Sequence, residues 1–89
     1  MSRQRTMEKI LESEYVSIGE LVRITGCRYS TLKYYTQEGL LLYKQEEENL
    51  TRRYERVGTV HRIEEILSLR ESGRSMAEIK ERYHIADSK

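Results

Sequence analysis

The sequence predicts a mainly α-helical domain of the winged helix-turn-helix class, with a two-stranded wing and a following helix pair. Three observations predict it. Two short stretches with helical spacing of apolar residues lie on either side of Gly26. A short apolar run and a basic run flank the acidic loop Q-E-E-E-N-L at 45–50, as two strands flank a hairpin loop. Two further helical patterns follow, with Gly73 between them.

The 89 residues suffice for one small domain with a modest core. The chain has no Pro, Phe or Trp, so the core must be aliphatic with some of its 7 tyrosines. Its apolar runs are far shorter than the ~18 residues of a membrane span, and its N-terminus has no signal-peptide pattern. A single cysteine cannot form an internal disulfide. These features favour a reducing compartment, the cytoplasm, and no membrane partner.

The net charge of +1 is unevenly distributed. Residues 15–44 and 51–62 are net positive, whereas the loop at 45–50 between them is net negative. A positive surface in two segments is typical of proteins that bind a polyanion. A solvated charge pattern without a function is the alternative.

The first 14 residues contain a short helical pattern in which Met7, Ile10 and Leu11 share a face. Thr6 is a possible N-cap, although Lys9 stands where a capping box has Glu or Gln. This extension is either a frayed terminus or a short helix that packs on the domain or pairs with a second copy. The domain itself is expected at 15–84.

The helix-turn-helix is predicted from Ser17 onward. A first helix at Ile18–Ile24 ends at Gly26, a favourable left-handed C-cap. A second helix runs from about Ser30 to Glu38 and ends at Gly39. Its spacing puts Leu32 and Tyr35 on the buried side, and the opposite side carries Tyr29, Lys33, Tyr34 and Gln37.

The wing is predicted as a hairpin of strands Leu40–Lys44 and Thr51–Tyr54. Alternation puts Thr51 and Arg53 on one side and Arg52 and Tyr54 on the other. A helix with Thr59 as N-cap then runs to Glu71, and Ser75 with Glu78 forms a capping box for a last helix. Residues 85–89 are a polar tail.

These segments, in this order, resemble the DNA-binding domain of the MerR family of bacterial transcription regulators over roughly Tyr15 to Tyr83. The motifs are Y-V-S-I-G-E-L at 15–21, T-G-C at 25–27, T-L-K-Y-Y-T-Q-E-G-L-L at 31–41, R-R-Y at 52–54 and L-R-E-S-G-R-S-M-A-E-I-K at 69–80. The resemblance implies a sequence-specific, double-stranded DNA-binding regulator located at the nucleoid. It also implies homodimers that bind inverted repeats and distort the duplex, with RNA polymerase as a further partner.

The chain departs from the family pattern at several positions. Lys33 replaces the usual arginine, Tyr43 replaces a proline, and one extra residue lies between Tyr54 and Val60. Arg28 replaces the serine that caps the recognition helix, so Ser30 is a second candidate for the helix start. The family's long dimerisation helix and effector-binding domain have no counterpart before the sequence ends, so no ligand-sensing domain is expected in this chain.

Two other functions remain open. The first is an architectural DNA-binding factor of a mobile element, excisionase-like or a plasmid or phage partition protein, that coats repeated sites as a cooperative homo-oligomer. The second is a winged-helix module that binds proteins, which the near-neutral charge and the acidic loop would suit.

The candidate DNA-binding residues divide by chemistry. Phosphates attract cations and hydroxyl or amide donors at a helix N-terminus, whereas base edges in the major groove need hydrogen-bonding or apolar side chains. The candidates are Ser17, Arg28, Tyr29, Ser30, Lys33, Tyr34, Gln37, Asn49, Arg52 and Arg53.

No catalytic site, metal site or cofactor is expected. The chain has no nucleophile with a base partner, no phosphate-binding glycine loop and no paired-carboxylate signature. His61 and His84 have no further ligand at metal-binding spacing. Cys27 stands in the helix-turn-helix turn, where it is expected to act as a small apolar residue.

Overall fold

The computed structural model describes residues 5–47 and 51–85. These residues form helix α1 (Met7–Glu12), strand β1 (Tyr15–Val16), helices α2 (Ile18–Thr25) and α3 (Tyr29–Gln37), strand β2 (Tyr54–Glu55) and helices α4 (Arg56–Glu71) and α5 (Met76–Arg82). The two strands pair antiparallel in one small sheet. The mainly helical winged helix-turn-helix class is confirmed.

One hydrophobic core joins all the helices. It receives buried side chains from α1 to α5, from both strands and from the turn after α3. The buried apolar residues are Ile10, Val16, Leu21, Leu32, Tyr35, Leu40, Leu41, Tyr54, Ile63, Ile66 and Ile79. At α5, Ile79 is fully buried, and Met76 and Tyr83 are half-buried against this core. Cys27 packs there too, as a small apolar residue would.

The two helices of the helix-turn-helix begin and end close to their expected bounds. Ser17 and Glu20 form a capping box on α2, and Gly26 ends that helix with φ 77° in the left-handed region. Arg28 takes the N-cap position of α3 and contributes no side-chain hydrogen bond to it. Of the two candidates for the start of this helix, Arg28 is therefore the one observed, and Ser30 lies inside the first turn.

Helix α1 packs on the domain, which is one of the alternatives left open by its sequence. Ile10 is fully buried, and the Thr6 hydroxyl accepts a hydrogen bond from the Lys9 amide at 3.2 Å. Arg5 donates to both carboxylate oxygens of Glu20 at 2.8 and 2.7 Å. The backbone carbonyl of Arg5 accepts a hydrogen bond from the Arg23 side chain at 2.7 Å. The segment before Tyr15 is thus bound to α2 by both apolar and polar contacts.

The predicted strand at Leu40–Lys44 is wrong for most of its length. Leu40 and Leu41 are consecutive buried residues, which strand alternation on one face does not permit, and Arg62 donates to the Leu40 carbonyl at 2.9 Å. Among the described residues, Lys44 alone of this segment pairs with the returning chain, through two backbone hydrogen bonds with Arg53 at 2.7 and 2.9 Å. The run is apolar because it fills the core.

The returning chain pairs chiefly with β1, a strand that no local sequence pattern predicted. Tyr54 lies opposite Val16, and Glu55 lies opposite Tyr15. The Arg56 amide then donates to the Glu14 carbonyl at 2.8 Å. The sheet therefore joins the wing to the segment that precedes α2.

Helix α4 begins three residues before the expected cap. Glu55, not Thr59, is its N-cap, and the Glu55 carboxylate accepts from the Gly58 amide at 2.7 Å. Thr59 is buried within the helix. A carboxylate at this position also interacts favourably with the helix dipole. At α5 the predicted capping box of Ser75 and Glu78 is confirmed.

The last described residue also contacts the core. Ile85 packs against it as a partly buried side chain, and its amide donates to the Lys80 carbonyl at 2.9 Å. The rest of the predicted tail lies outside the described residues.

Replacing Ile10 with alanine should lower the free energy of unfolding by about 2–5 kcal/mol, because the residue is fully buried and its loss leaves a cavity. The matched control is Leu11→Ala in the same helix, where the side chain is 47% exposed and the expected change is about 0.5 kcal/mol. Urea denaturation measures both. Equal small effects would mean that α1 does not pack stably on the domain.

Stability should depend on pH through the Arg5–Glu20 pair. The Arg5 hydrogen bonds, followed by that from the Ser17 amide, lower the pKa of Glu20 below its ordinary value of about 4.5. The stabilisation is therefore present above this ordinary pKa and is lost as the pH falls through the lower pKa of the folded state. It amounts to about 1 kcal/mol or less, because the pair is partly exposed.

Urea denaturation at neutral and at acid pH tests this linkage. Arg5→Ala should cost more stability at neutral pH than at a pH at which Glu20 is protonated in both states. Lys9→Ala removes an exposed cation from the same segment and should have the same small effect at both pH values. An Arg5→Ala effect that does not change with pH would show that the ion pair does not stabilise the fold.

Candidate nucleic-acid interface

One face of α3 is exposed over its whole length, and five of the candidate residues lie on it. The spacings of three and four residues align their side chains along the helix. Arg28 is exposed at the N-terminal end of the same helix. None of the nine residues of α3 is acidic. The exposed members of the helix are Tyr29, Ser30, Lys33, Tyr34 and Gln37.

The opposite face of α3 is held in the core. Leu32 and Tyr35 are buried as the spacing predicted, and burial raises the pKa of the Tyr35 phenol. Tyr34 remains 41% exposed, with its ring centroid 6.1 Å from that of Tyr35. The two adjacent tyrosines therefore differ in role, one in the core and one at the surface.

A buried hydrogen bond links α3 to the wing. The Thr36 hydroxyl donates to the Leu32 carbonyl at 2.9 Å and lies 3.0 Å from the Tyr54 phenol oxygen. Because the Thr36 hydrogen is used within the helix, the phenol is the donor in the second contact. Both residues are buried, so this contact sets the position of β2 relative to the C-terminal turn of α3.

Both acidic residues of the helix-turn-helix are paired with cations from outside it. Residues 15–44 contain two carboxylates, Glu20 and Glu38. Glu20 binds Arg5, and Glu38, next to the C-terminal end of α3, forms an ion pair with the largely buried Lys80 of α5. A carboxylate at a helix C-terminus is unfavourable unless it is compensated. The negative charge of both carboxylates is therefore offset within the protein.

The cations of the wing lie over tyrosine rings. The Arg52 guanidinium carbon is 4.5 Å from the centroid of the Tyr43 ring, and Arg53 is 5.8 Å from that of Tyr15. The Lys44 ammonium is 5.0 Å from the Tyr15 centroid, and a hydrogen bond with the Tyr15 side chain raises the pKa of Lys44. These distances fall within the range of cation–π contacts.

Lys44, Tyr15 and Tyr43 were not among the residues predicted for the site. Tyr43 and Lys44 belong to the predicted wing, and Tyr15 lies two residues before Ser17. Tyr15 is part of a strand whose pairing no local pattern indicated. Basic residues interleaved with tyrosines, as in Y-K at 43–44 and R-R-Y at 52–54, were the available signal.

Of the candidates Ser17 and Asn49, only Ser17 lies within the described residues. The Ser17 backbone amide donates to the Glu20 carboxylate at 2.9 Å, and its hydroxyl accepts from the Glu20 amide at 3.2 Å. The Ser17 N–H is thus already used within the capping box, whereas the hydrogen of its hydroxyl is not used there. Asn49 lies outside the described residues, as does Glu48 of the acidic loop, whereas Glu46 and Glu47 are exposed.

Other kinds of site are absent from the part of the chain that the structure describes. Residues 5–47 and 51–85 contain no group of three or more His, Cys, Asp or Glu side chains that could hold a metal ion. Over the same residues, no helix combines the length and apolar character needed to span a membrane. His61 is exposed on α4, and His84 is exposed after α5.

Comparison with known proteins identifies the family. The model of the MerR helix-turn-helix family of regulatory proteins matches residues 16–83, from the second residue of β1 to the residue that follows α5. No curated protein and no solved structure matches the chain. The match spans most of the sequence and covers the exposed face of α3 and both sides of the wing. The members are DNA-binding regulators rather than enzymes, and this chain belongs to the MerR helix-turn-helix regulatory family.

Proposed function

We propose that this chain binds double-stranded DNA sequence-specifically as a transcription regulator at the nucleoid, with α3 as its recognition helix. The observation that carries the proposal is the exposed face of α3, which presents tyrosines, a lysine, a serine and a glutamine without an acidic residue. A helix with such a face fits the major groove, where hydroxyl and amide groups can reach base edges. Tyr29, Ser30, Tyr34 and Gln37 are the proposed base-reading residues.

The remaining candidates suit the phosphate backbone. Arg28 precedes α3, Lys33 lies within it, and the wing carries Arg52 and Arg53. Such contacts fix the register of the protein on the duplex without reading its sequence. The Ser17 hydroxyl at the N-terminus of α2 is a further phosphate donor, since that helix end attracts anions. Asn49 is proposed as a wing contact from its sequence position alone.

Two copies are proposed to act together on DNA. Nine residues of α3 extend about 13 Å, which covers roughly four base pairs at 3.4 Å each. Any given sequence of four base pairs occurs too often in a genome to specify a promoter. Helix-turn-helix proteins solve this by binding two half-sites as dimers. A homodimer, or a cooperative homo-oligomer on repeated sites, is therefore proposed, with RNA polymerase as the partner at a regulated promoter.

Binding of a mixed-sequence duplex should weaken steeply as salt increases, and Arg52→Ala should make that slope shallower. Each phosphate contact contributes about 0.9 to the slope of log K against log salt, so loss of one should reduce the slope by about that amount. The matched control is Arg82→Ala on α5, where the arginine lies beside Glu65. The control should leave affinity and slope unchanged. No duplex binding by the wild type at low salt would overturn the proposed function.

Replacing Tyr34 with alanine should weaken binding to a selected target sequence by about 1–3 kcal/mol and leave the melting temperature nearly unchanged. Its ring is 41% exposed, and alanine favours the helix. Tyr35→Ala is the comparison, since loss of that buried ring should cost about 3–5 kcal/mol of folding stability. Unchanged DNA affinity with reduced stability in Tyr34→Ala would show that this face of α3 does not read bases.

A further inference from the structure

The wing cations lie over tyrosine rings, and other contacts of the fold hold those tyrosines in place. Tyr43 lies under Arg52, and its ring centroid is 6.0 Å from that of Tyr54. Tyr54 is 1% exposed and hydrogen-bonds Thr36 of the recognition helix. The ring that supports Arg52 is therefore connected to α3 through two further side chains.

Tyr15 is held on the other side by its backbone. It pairs with Glu55 in the sheet, and its carbonyl accepts a hydrogen bond from Arg5 at 3.3 Å. Its ring contacts both Lys44 and Arg53, which are joined to each other by two backbone hydrogen bonds. Two tyrosines thus support three cations of the wing.

A tyrosine ring holds a cation differently from a carboxylate. A carboxylate cancels the charge and uses the N–H donors, as Glu20 does with Arg5. A ring contacts the flat face of a guanidinium, so the charge and the N–H edge stay available for a phosphate. Long basic side chains lose considerable rotamer freedom when they bind, and prior contact with a ring reduces that loss.

We propose that Tyr43 and Tyr15 are positioning residues of the DNA interface, which hold Arg52, and Lys44 with Arg53, in place for contact with backbone phosphates. The proposal rests on the proposed DNA-binding function and deepens it. The rings add no charge and need not touch DNA. The rings strengthen the contact that each wing cation makes with a phosphate, and the number of phosphates contacted stays the same.

A double-mutant cycle on a mixed-sequence duplex tests the Tyr43–Arg52 pair. Tyr43→Leu should weaken binding about two- to fivefold, the range of an exposed cation–π contact, without changing the salt slope. Tyr43→Phe keeps the ring and should bind as the wild type does. In an Arg52→Ala background, Tyr43→Leu should have no further effect, because the cation that it positions is absent.

A measurement on the free protein separates positioning from packing. The ¹⁵N–¹H NOE of the Arg52 Nε group should fall in Tyr43→Leu and stay at the wild-type value in Tyr43→Phe. A ring that only packs on Tyr54 would leave that NOE unchanged and would lower the melting temperature in both backgrounds.

The outcomes separate the two proposals. If the wild type binds the duplex and Tyr43→Leu weakens binding equally in both backgrounds, or not at all, the positioning role is overturned while DNA binding stands. If the wild type does not bind the duplex at low salt, the proposed function is overturned and the positioning role with it. Wild-type binding with the expected coupling, Phe rescue and unchanged slope supports both.

Discussion

The hydrogen bond from the buried Tyr54 phenol to the Thr36 hydroxyl is the contact on which the geometry of this domain depends. It joins the C-terminal turn of α3 to β2, and β2 in turn pairs with the strand that precedes α2. A buried phenol without a partner would be costly, so the pair fixes one arrangement of helix and wing. The orientation of the exposed face of α3 relative to the wing cations follows from this contact.

In this nearly neutral chain, the cations at α3 and in the wing stay exposed while two nearby carboxylates are paired. The two carboxylates of residues 15–44 are paired with Arg5, which precedes α1, and with Lys80 of α5, so both cations come from outside the helix-turn-helix. The wing cations are supported by uncharged rings. Net charge is therefore a poor guide to this surface, because the location and partners of each charge decide what a polyanion meets.

Much of the fold could be predicted because its signals are local. A capping box acts over three residues, a glycine C-cap over one turn, and the buried face of a helix repeats every three or four residues. The predicted secondary structure was wrong where contacts with other parts of the chain, and not the local pattern, set the conformation. The apolar run at 40–42 reads as a strand, yet Leu40 and Leu41 fill the core. Glu55 caps α4 ahead of Thr59 because the chain leaves β2 directly into the helix.

The helices and the exposed face of α3 could be predicted from residues within a turn or two of one another, and the family from the order and spacing of short motifs along the chain. The packing of α1 in the core, the pairing of β2 with β1 and the partners of each cation depend on contacts that form only in the folded chain. Those contacts join residues as far apart in sequence as Ser13 and Arg56, which lie 43 positions apart. No local periodicity specifies such a pair, because its free energy arises only once the intervening chain has packed.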